Sequence, residues 1–373
     1  MFVFAVVLSL SSCLARPGAE STGAGGGMIT EVGAIRSIGG MLESRSTHTA
    51  TLLKNGKVLL AGGMVREGSF LDTAELYDPR TESFSPTGKM NAKRVNPVAI
   101  LLNDGKVLLA GGINEGGSIA SAEIYDPQTG RFSPTGNMIK AREAPVVVKL
   151  SDGQILVAGG FANRRGIAEA ELYSPSSGTF KLTGSMKTGR GSVVAAPLPD
   201  GRVIVCGGTT DMRTILTSAE IYDPRSGTFT PAAGMNQPRH KSAANLLRDG
   251  RVLLTGGAVN HEWSGRRPTA EIFDPKTGRF TPAPNMNVAH FKHATATVTL
   301  PDGRVLIAGG NNKVEIFDPK TATFHLVKGD LGDEVFCNTA TALPNGKALV
   351  AGGYVISRQG PPVSIAKAWV ISP

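Results

Sequence analysis

The phrase "KVLLAGG" at residues 57–63 returns six more times: "KVLLAGG" at 106–112, "QILVAGG" at 154–160, "RVIVCGG" at 202–208, "RVLLTGG" at 251–257, "RVLIAGG" at 304–310 and "KALVAGG" at 347–353. Successive Gly-Gly pairs stand 43–53 residues apart. A period in that range describes an array of one small supersecondary unit, not two or three independent domains. Ahead of every phrase stands Asn-Gly or Asp-Gly: Asn55-Gly56, Asp104-Gly105, Asp152-Gly153, Asp200-Gly201, Asp249-Gly250, Asp302-Gly303 and Asn345-Gly346. That pair tolerates positive φ and suits a two-residue type I′ turn, so each phrase is expected to be the second strand of a hairpin.

The second strand does not alternate apolar and polar residues, which predicts cover on both faces. Third strands follow at 74–79, 122–127, 170–175, 219–224, 270–275 and 314–319, each a Glu-x-aromatic run closed by Asp-Pro or Ser-Pro. Fourth strands start at Phe84, Phe132, Phe180, Phe229, Phe280 and Phe324. Four antiparallel strands repeated without helices make a propeller blade. The Gly-Gly pair, the Glu-x-aromatic run and the Asn/Asp-Gly turn together resemble the kelch repeat in its bacterial form, over roughly residues 32–371. The resemblance implies an all-β, seven-bladed kelch-like β-propeller of four-stranded antiparallel blades. The seventh unit stops at "KAWVISP" (367–373), without a fourth strand, while "VGAIRSIGGM" (32–41) looks like a lone fourth strand. The N-terminal strand is therefore expected to close the last blade, which removes free edges.

The first residues read differently. An apolar run from Phe2 to Leu10, too short to span a bilayer, reads as a signal-peptide core, although it lacks the usual Lys or Arg. Leu10-Ser11-Ser12-Cys13 resembles the lipobox of bacterial lipoproteins, which implies residues 1–12 as signal peptide and Cys13 as the lipid-attachment residue. Residues 13–31 then form a flexible tether, and 32–373 the propeller. On this reading the protein is exported and membrane-anchored in a bacterial cell envelope, with ordinary export on a signal peptide with an incidental Cys, or a cytoplasmic protein with a miscalled start, as the alternatives. Cys206 and Cys337 lie in repeats four and seven, too far around a ring to meet, and are expected to be free.

A formal charge of +9 favours anionic partners, but no basic block stands out and nucleic acid is not expected. Arg45, Arg94, Arg142, Arg190 and Arg239 recur at one position between blades, and Glu75, Glu123, Glu171, Glu220, Glu271 and Glu315 open the third strands. Residues present in most blades serve each blade, so Arg–Glu pairs or Arg–carbonyl bonds are expected; repeats six and seven show no clear Arg. Departures from the repeat carry more information. Four of six histidines fall between 240 and 293. His240, His261, Trp263, Arg266, Arg267, His290, Phe291 and His293 are the candidate ligand-binding residues, placed on the variable loop face. An aromatic among Arg and His suits stacking on a sugar with contacts to an acid group; a long loop folded on its own Trp is the plainer alternative.

No metal site, cofactor or catalytic residue is assigned. Galactose oxidase, a kelch-like copper enzyme, needs tyrosines that here sit in the repeated Tyr-(Asp/Ser)-Pro element, apart from Tyr354. A binding role follows, with a protein or an anionic glycan docked on the variable face. Isomerase, epimerase or hydrolase-like action on an acidic sugar and a purely structural envelope role stay open as alternatives.

Overall fold

The seven expected hairpins are present, with a turn one residue longer than the type I′ form. In the first, Gly56 N–H donates to the Leu53 carbonyl at 3.0 Å and Leu53 N–H to the Lys57 carbonyl at 2.8 Å. Only the glycine has positive φ (83°); Asn55 does not. This is a type I turn followed by a left-handed glycine. Asn55 contributes through its side chain, whose Oδ1 accepts from Lys57 N–H at 3.1 Å. Asp104, Asp152, Asp200, Asp249, Asp302 and Asn345 repeat that bond. The dipeptide thus marks an Asx-stabilised turn.

The computed structural model describes residues 30–260, 265–356 and 361–373. Blade one pairs Thr49–Leu52, Val58–Ala61, Ala74–Asp78 and Ser83–Pro86 in that order, all antiparallel. Six further sheets repeat this plan, and their innermost strands touch one another in a closed circle about the axis. Second strands such as Val58–Ala61 are buried at every position, as a strand packed between two neighbouring sheets requires. Fourth strands such as Ser83–Pro86 are mostly exposed at the outer edge.

Closure is as expected. Ala34–Ile38 is the fourth strand of blade seven, antiparallel to Ala368–Ser372. One feature had no sequence signal: Glu31–Val32 runs parallel to Thr323–Val327 at the edge of blade six. The chain start therefore joins blades six and seven, with Gly33 at φ 62° between the two segments. A Cβ at Gly33 would strike the Ser372 carbonyl.

The Gly-Gly pairs join consecutive blades. Gly62 has φ 68°, and a Cβ there would stand 2.7 Å from the Arg94 carbonyl oxygen. Gly63 N–H donates to the same oxygen at 2.8 Å. That bond recurs around the circle, through to Gly353 N–H on the Arg45 carbonyl at 2.9 Å. Glycine recurs because the next blade's backbone occupies the space of a side chain.

The arginines are structural. Arg142 is fully buried; its Nη2 lies 2.7 Å from Glu171 Oε1, and its Nη1 donates to the Gly159 and Glu169 carbonyls at 2.9 Å. Arg45–Glu75, Arg94–Glu123, Arg190–Glu220 and Arg239–Glu271 repeat the pair at 2.8–3.0 Å. Blade six does have an equivalent: His290 stands in the Arg place, its Nε2 3.3 Å from Glu315 Oε1. Burial raises the Glu315 carboxyl, but His290 and the N–H groups of Asn287 and Val288 outweigh it and hold the group below its usual range. In blade seven both members change together. Val335 and Trp369 occupy the two positions and pack in one apolar cluster. A buried ion pair exchanged for an apolar pair of suitable size keeps the interior satisfied.

Candidate functional site

The two faces of the ring differ. The short Asn/Asp-Gly and Asp-Pro turns lie on one. The other carries the segments after each Gly-Gly pair. Among the described residues, four of these contain paired strands: Met64–Arg66 with Ser69–Phe70, Ile113–Asn114 with Gly117–Ser118, Phe161–Ala162 with Arg165–Gly166, and Tyr354–Val355 with Val363–Ser364. They belong to blades one, two, three and seven, which are consecutive around the ring. In blades four and five the described residues form bridges instead, Thr209 to Ile215 and Ala258 to Arg266. Blade six has the shortest connection, running from Gly310 to Glu315. The raised segments are tied to one another: Ser46 Oγ meets Ser364 Oγ at 2.8 Å, and Gly166 N–H donates to the Thr210 carbonyl at 2.7 Å. Met64, Phe70 and Val95 form a small apolar cluster beneath them.

At the top of each inner strand one residue adopts the left-handed conformation. Thr47, Asn96, Ala144, Ser192, Lys241, Lys292 and Cys337 have φ between 45° and 56°. None is glycine, so each holds a conformation that L-residues disfavour by about 1–2 kcal/mol. The compensation is a belt of backbone bonds. Asn96 N–H donates to Thr47 C=O, Ala144 to Asn96, Lys241 to Ser192, Lys292 to Lys241, Cys337 to Lys292 and Thr47 to Cys337, at 3.1–3.3 Å. This position was invisible in the sequence because only the backbone is repeated.

The belt surrounds a cavity of about 530 Å³ on the axis, walled by residues of all seven blades. Blades two to four supply Val98, Val147, Val193 and Phe161; blades five and six supply Lys241 and Lys292. Arg164 and Met212 line it from the loop face. Glu143 is partly buried in its wall, and loss of water pushes its carboxyl up to about 7. His48, fully buried beside the cavity, is driven down to about 3 by burial and then by the charge of Arg45.

The sequence-derived candidates divide into three groups. Cys13, His261 and Trp263 lie outside the described residues. Arg266 and Arg267 are on the loop face, where Arg266 Nη1 is 3.5 Å from Glu334 Oε1 and Arg267 Nη1 donates to the Arg266 carbonyl at 3.0 Å. His240, His290, Phe291 and His293 are interior, at 0, 0, 4 and 0% exposure. They were expected on an exposed patch; the fold places them inside because they fill repeat positions. His240 Nε2 meets the Asn260 carbonyl at 3.0 Å, His290 Nδ1 the Gly309 carbonyl at 2.8 Å, and His293 Nε2 the Thr255 hydroxyl at 3.2 Å. Burial, then the neighbouring His290, holds His293 well below the usual imidazole range.

Sequence reasoning missed the lysines and Tyr354. Lys292, 9% exposed, donates from Nζ to Tyr354 Oη at 2.8 Å. Lys241 and Lys292 place their ammonium groups 5.4 and 5.6 Å from the centre of the one Phe291 ring. Both stand in the left-handed belt, two residues after the Arg239 and His290 positions. The free Cys206 is fully buried, and desolvation pushes its thiol up to about 12. Among the described residues no group of three or more His, Cys, Asp or Glu is placed to hold a metal ion.

Comparison with known proteins agrees with this architecture. The kelch motif is matched over residues 45–91, 96–139 and 194–236. No curated protein matches the chain. Among solved structures, a fungal alcohol oxidase of the AA5 family, in complex with copper, superposes with a TM-score of 0.72. The match covers 92% of this chain and 76% of the oxidase at 18% identity, a likeness of fold. Motif and architecture agree: the chain is a seven-bladed β-propeller that carries the kelch motif in three of its stretches.

Proposed function

We infer that this propeller is an interaction scaffold that docks a partner protein on its loop face, exported and held in a cell envelope by lipid on Cys13. The observation that carries docking is the asymmetric rim of paired segments. Four consecutive blades raise hydrogen-bonded hairpins, and blade six leaves a low side. Rim segments already paired before contact lose little conformational entropy on binding, which favours affinity. Binding sites concentrate on such loops held by a rigid scaffold. Kelch propellers generally serve as protein-interaction scaffolds, which supports the same reading over turnover of an acidic sugar.

Photo-crosslinking residues installed at the exposed rim positions Arg66, Glu115 and Arg165 test this, with the exposed opposite-face positions Arg80 and Gln128 as controls. The expected result is one discrete crosslinked protein from rim positions only, in intact cells. Crosslinking from the controls alone, or none from a folded full-length chain, would overturn the reading. Labelling with a radioactive fatty acid that Cys13→Ala abolishes tests the anchor separately.

A further inference from the structure

We propose that the outer edge of blade three accepts an extended strand from a partner protein, a segment that alternates apolar and acidic residues, as the edge of blade six accepts Glu31–Val32. This surface lies on the circumference of the ring. It goes beyond docking on the loop face and does not depend on it.

The fourth strand of each blade is the outer one, and unpaired backbone groups there invite another chain. Opposite the blade glutamate, that strand carries Pro86, Pro134, Pro231 and Pro282 in blades one, two, four and five. In blades three and six the same position is Leu182 and Leu326. Thr183 N–H donates to the Ala170 carbonyl at 3.0 Å. Antiparallel pairs alternate in bonding direction, so the N–H and C=O of Leu182, one residue back, face outward. Proline at this place removes the outward donor and closes the edge to a further strand. Leucine keeps the donor. Blade six shows the consequence, because Glu31–Val32 pairs with Leu326–Val327. Blade seven has Ser37 there, and its neighbour Arg36 is held by Glu82 of blade one. Among the described residues nothing pairs with the outer side of Thr179–Leu182.

The side chains at this edge also differ from those of other blades. Leu182 is 50% exposed and Ile139 52%, two of the four large apolar side chains so exposed among the described residues. Ile139 N–H donates to Glu171 Oε2 at 2.6 Å, and the N–H groups of Asn236 and Asn287 meet Glu271 and Glu315 in the same way. Those asparagines also turn Nδ2 to the carbonyls of Phe280 and Phe324, at 3.5 and 3.2 Å. Ile139 has no such donor, which leaves the Phe180 carbonyl to an incoming strand. Leu182 shares a face with Phe180, and Lys181 points to the other face. Lys181 is exposed and has no ion pair, where blades one, two, four and five have Ser85, Ser133, Thr230 and Thr281.

An added strand would set every second residue on the side of Leu182 and Ile139, and those between beside Lys181. Apolar and acidic residues in alternation satisfy both sides. A second copy of this chain, edge to edge, would bring two copies of Lys181 close together, which like charges disfavour. Main-chain bonds then supply affinity and the alternating side chains supply register.

The test uses the full-length chain and fluorescein-labelled peptides of about ten residues, read by anisotropy. One alternates Val and Glu, one alternates Val and Lys, and one is the Val-Glu peptide with its central valines replaced by Pro. The Val-Glu peptide is expected to bind with a Kd below about 1 mM and to slow amide exchange in the segment 179–182; the others should bind roughly tenfold more weakly or worse. Leu182→Pro copies four other blades, so it should keep the wild-type melting curve and lose binding. Lys181→Glu, at an exposed side chain, should reverse the preference between Val-Glu and Val-Lys, and it serves if Leu182→Pro unfolds. Five results would each overturn the proposal: no binding by folded protein up to about 1 mM, exchange protection elsewhere only, binding that survives Leu182→Pro, a preference unmoved by Lys181→Glu, or a dimer in light scattering that Leu182→Pro dissociates, which would make a second copy the occupant.

Discussion

Replacing Tyr77 by Phe should stabilise this protein, whereas the same change at Tyr125 should destabilise it. Three blade interfaces carry a hydroxyl pair: Tyr125 Oη with Thr87 Oγ1 at 2.9 Å, Tyr173 with Thr135 at 2.9 Å and Tyr222 with Thr183 at 2.8 Å. At the next two interfaces Phe273 and Phe317 replace Tyr, and Ala232 and Ala283 stand where Thr would be. The two partners change together. Only the closing interface breaks the pattern. There Tyr77, fully buried, faces a strand borrowed from the N-terminus with Ile38 at the Thr position, and its hydroxyl has no hydrogen-bond partner among the described residues. Burial raises its phenol to about 12.

Removing an unpaired buried hydroxyl while keeping the ring against Phe84, at 5.0 Å between centres, recovers about 1 kcal/mol of desolvation. Removing a paired one at Tyr125 loses about 1 kcal/mol of net bond, softened because Thr87 also reaches the Gly130 carbonyl at 3.3 Å. In a chain of this size 1 kcal/mol moves the melting temperature by only about 1–2 °C. Urea unfolding of wild type, both variants and Thr87→Ala is therefore the assay, with Tyr125→Phe/Thr87→Ala closing a double-mutant cycle. Equal destabilisation by Tyr77→Phe and Tyr125→Phe would refute the reasoning, since the Tyr77 hydroxyl would then be making a bond.

Two further outcomes follow from buried charge. Arg142→Met leaves Glu171 ionised in the interior and should cost about 3–5 kcal/mol in urea unfolding; adding Glu171→Leu should recover only part, because the Ile139 and Lys140 N–H groups then lose their acceptor. Acid should destabilise from pH 6.5 downward. His48 has a folded pKa of about 3, far below its unfolded value, so the stability it contributes is present above about 6.5 and lost as pH falls, by about 2 kcal/mol at pH 5. His293 acts in the same direction. Glu143 acts oppositely between about 4.5 and 7, so unfolding is compared at pH 7 and 5 in a Glu143→Gln background, where a flat profile would contradict the burial of both imidazoles.

The blades and their closure were legible because backbone geometry left a mark on residue identity. Asn/Asp-Gly marks a left-handed turn, and Gly-Gly marks a place where the next blade leaves no room for a Cβ. The Arg–Glu pairs were legible because five blades repeat them. His290 was misplaced for the same reason in reverse: as a substitute found in a single blade it resembled a departure, and polarity suggested a surface. Val335 and Trp369 show that a pair can be exchanged whole, so neither residue alone reveals the position it fills. The belt left no mark because its left-handed residues are Thr, Asn, Ala, Ser, Lys, Lys and Cys. Glu31–Val32 is two residues long, too short for any periodicity.

That belt also bears on how such a ring could acquire new specificities. Most sites are hard to change because the residues that bind also hold the fold. Here the restraint lies in main-chain bonds and the variation in side chains that point to a shared centre. Seven such positions surround one opening, and Thr, Asn, Ala, Ser, Lys and Cys all occupy them. Lysines stand at two adjacent positions, and moving them by one blade would turn that pair by one seventh of a revolution about the axis.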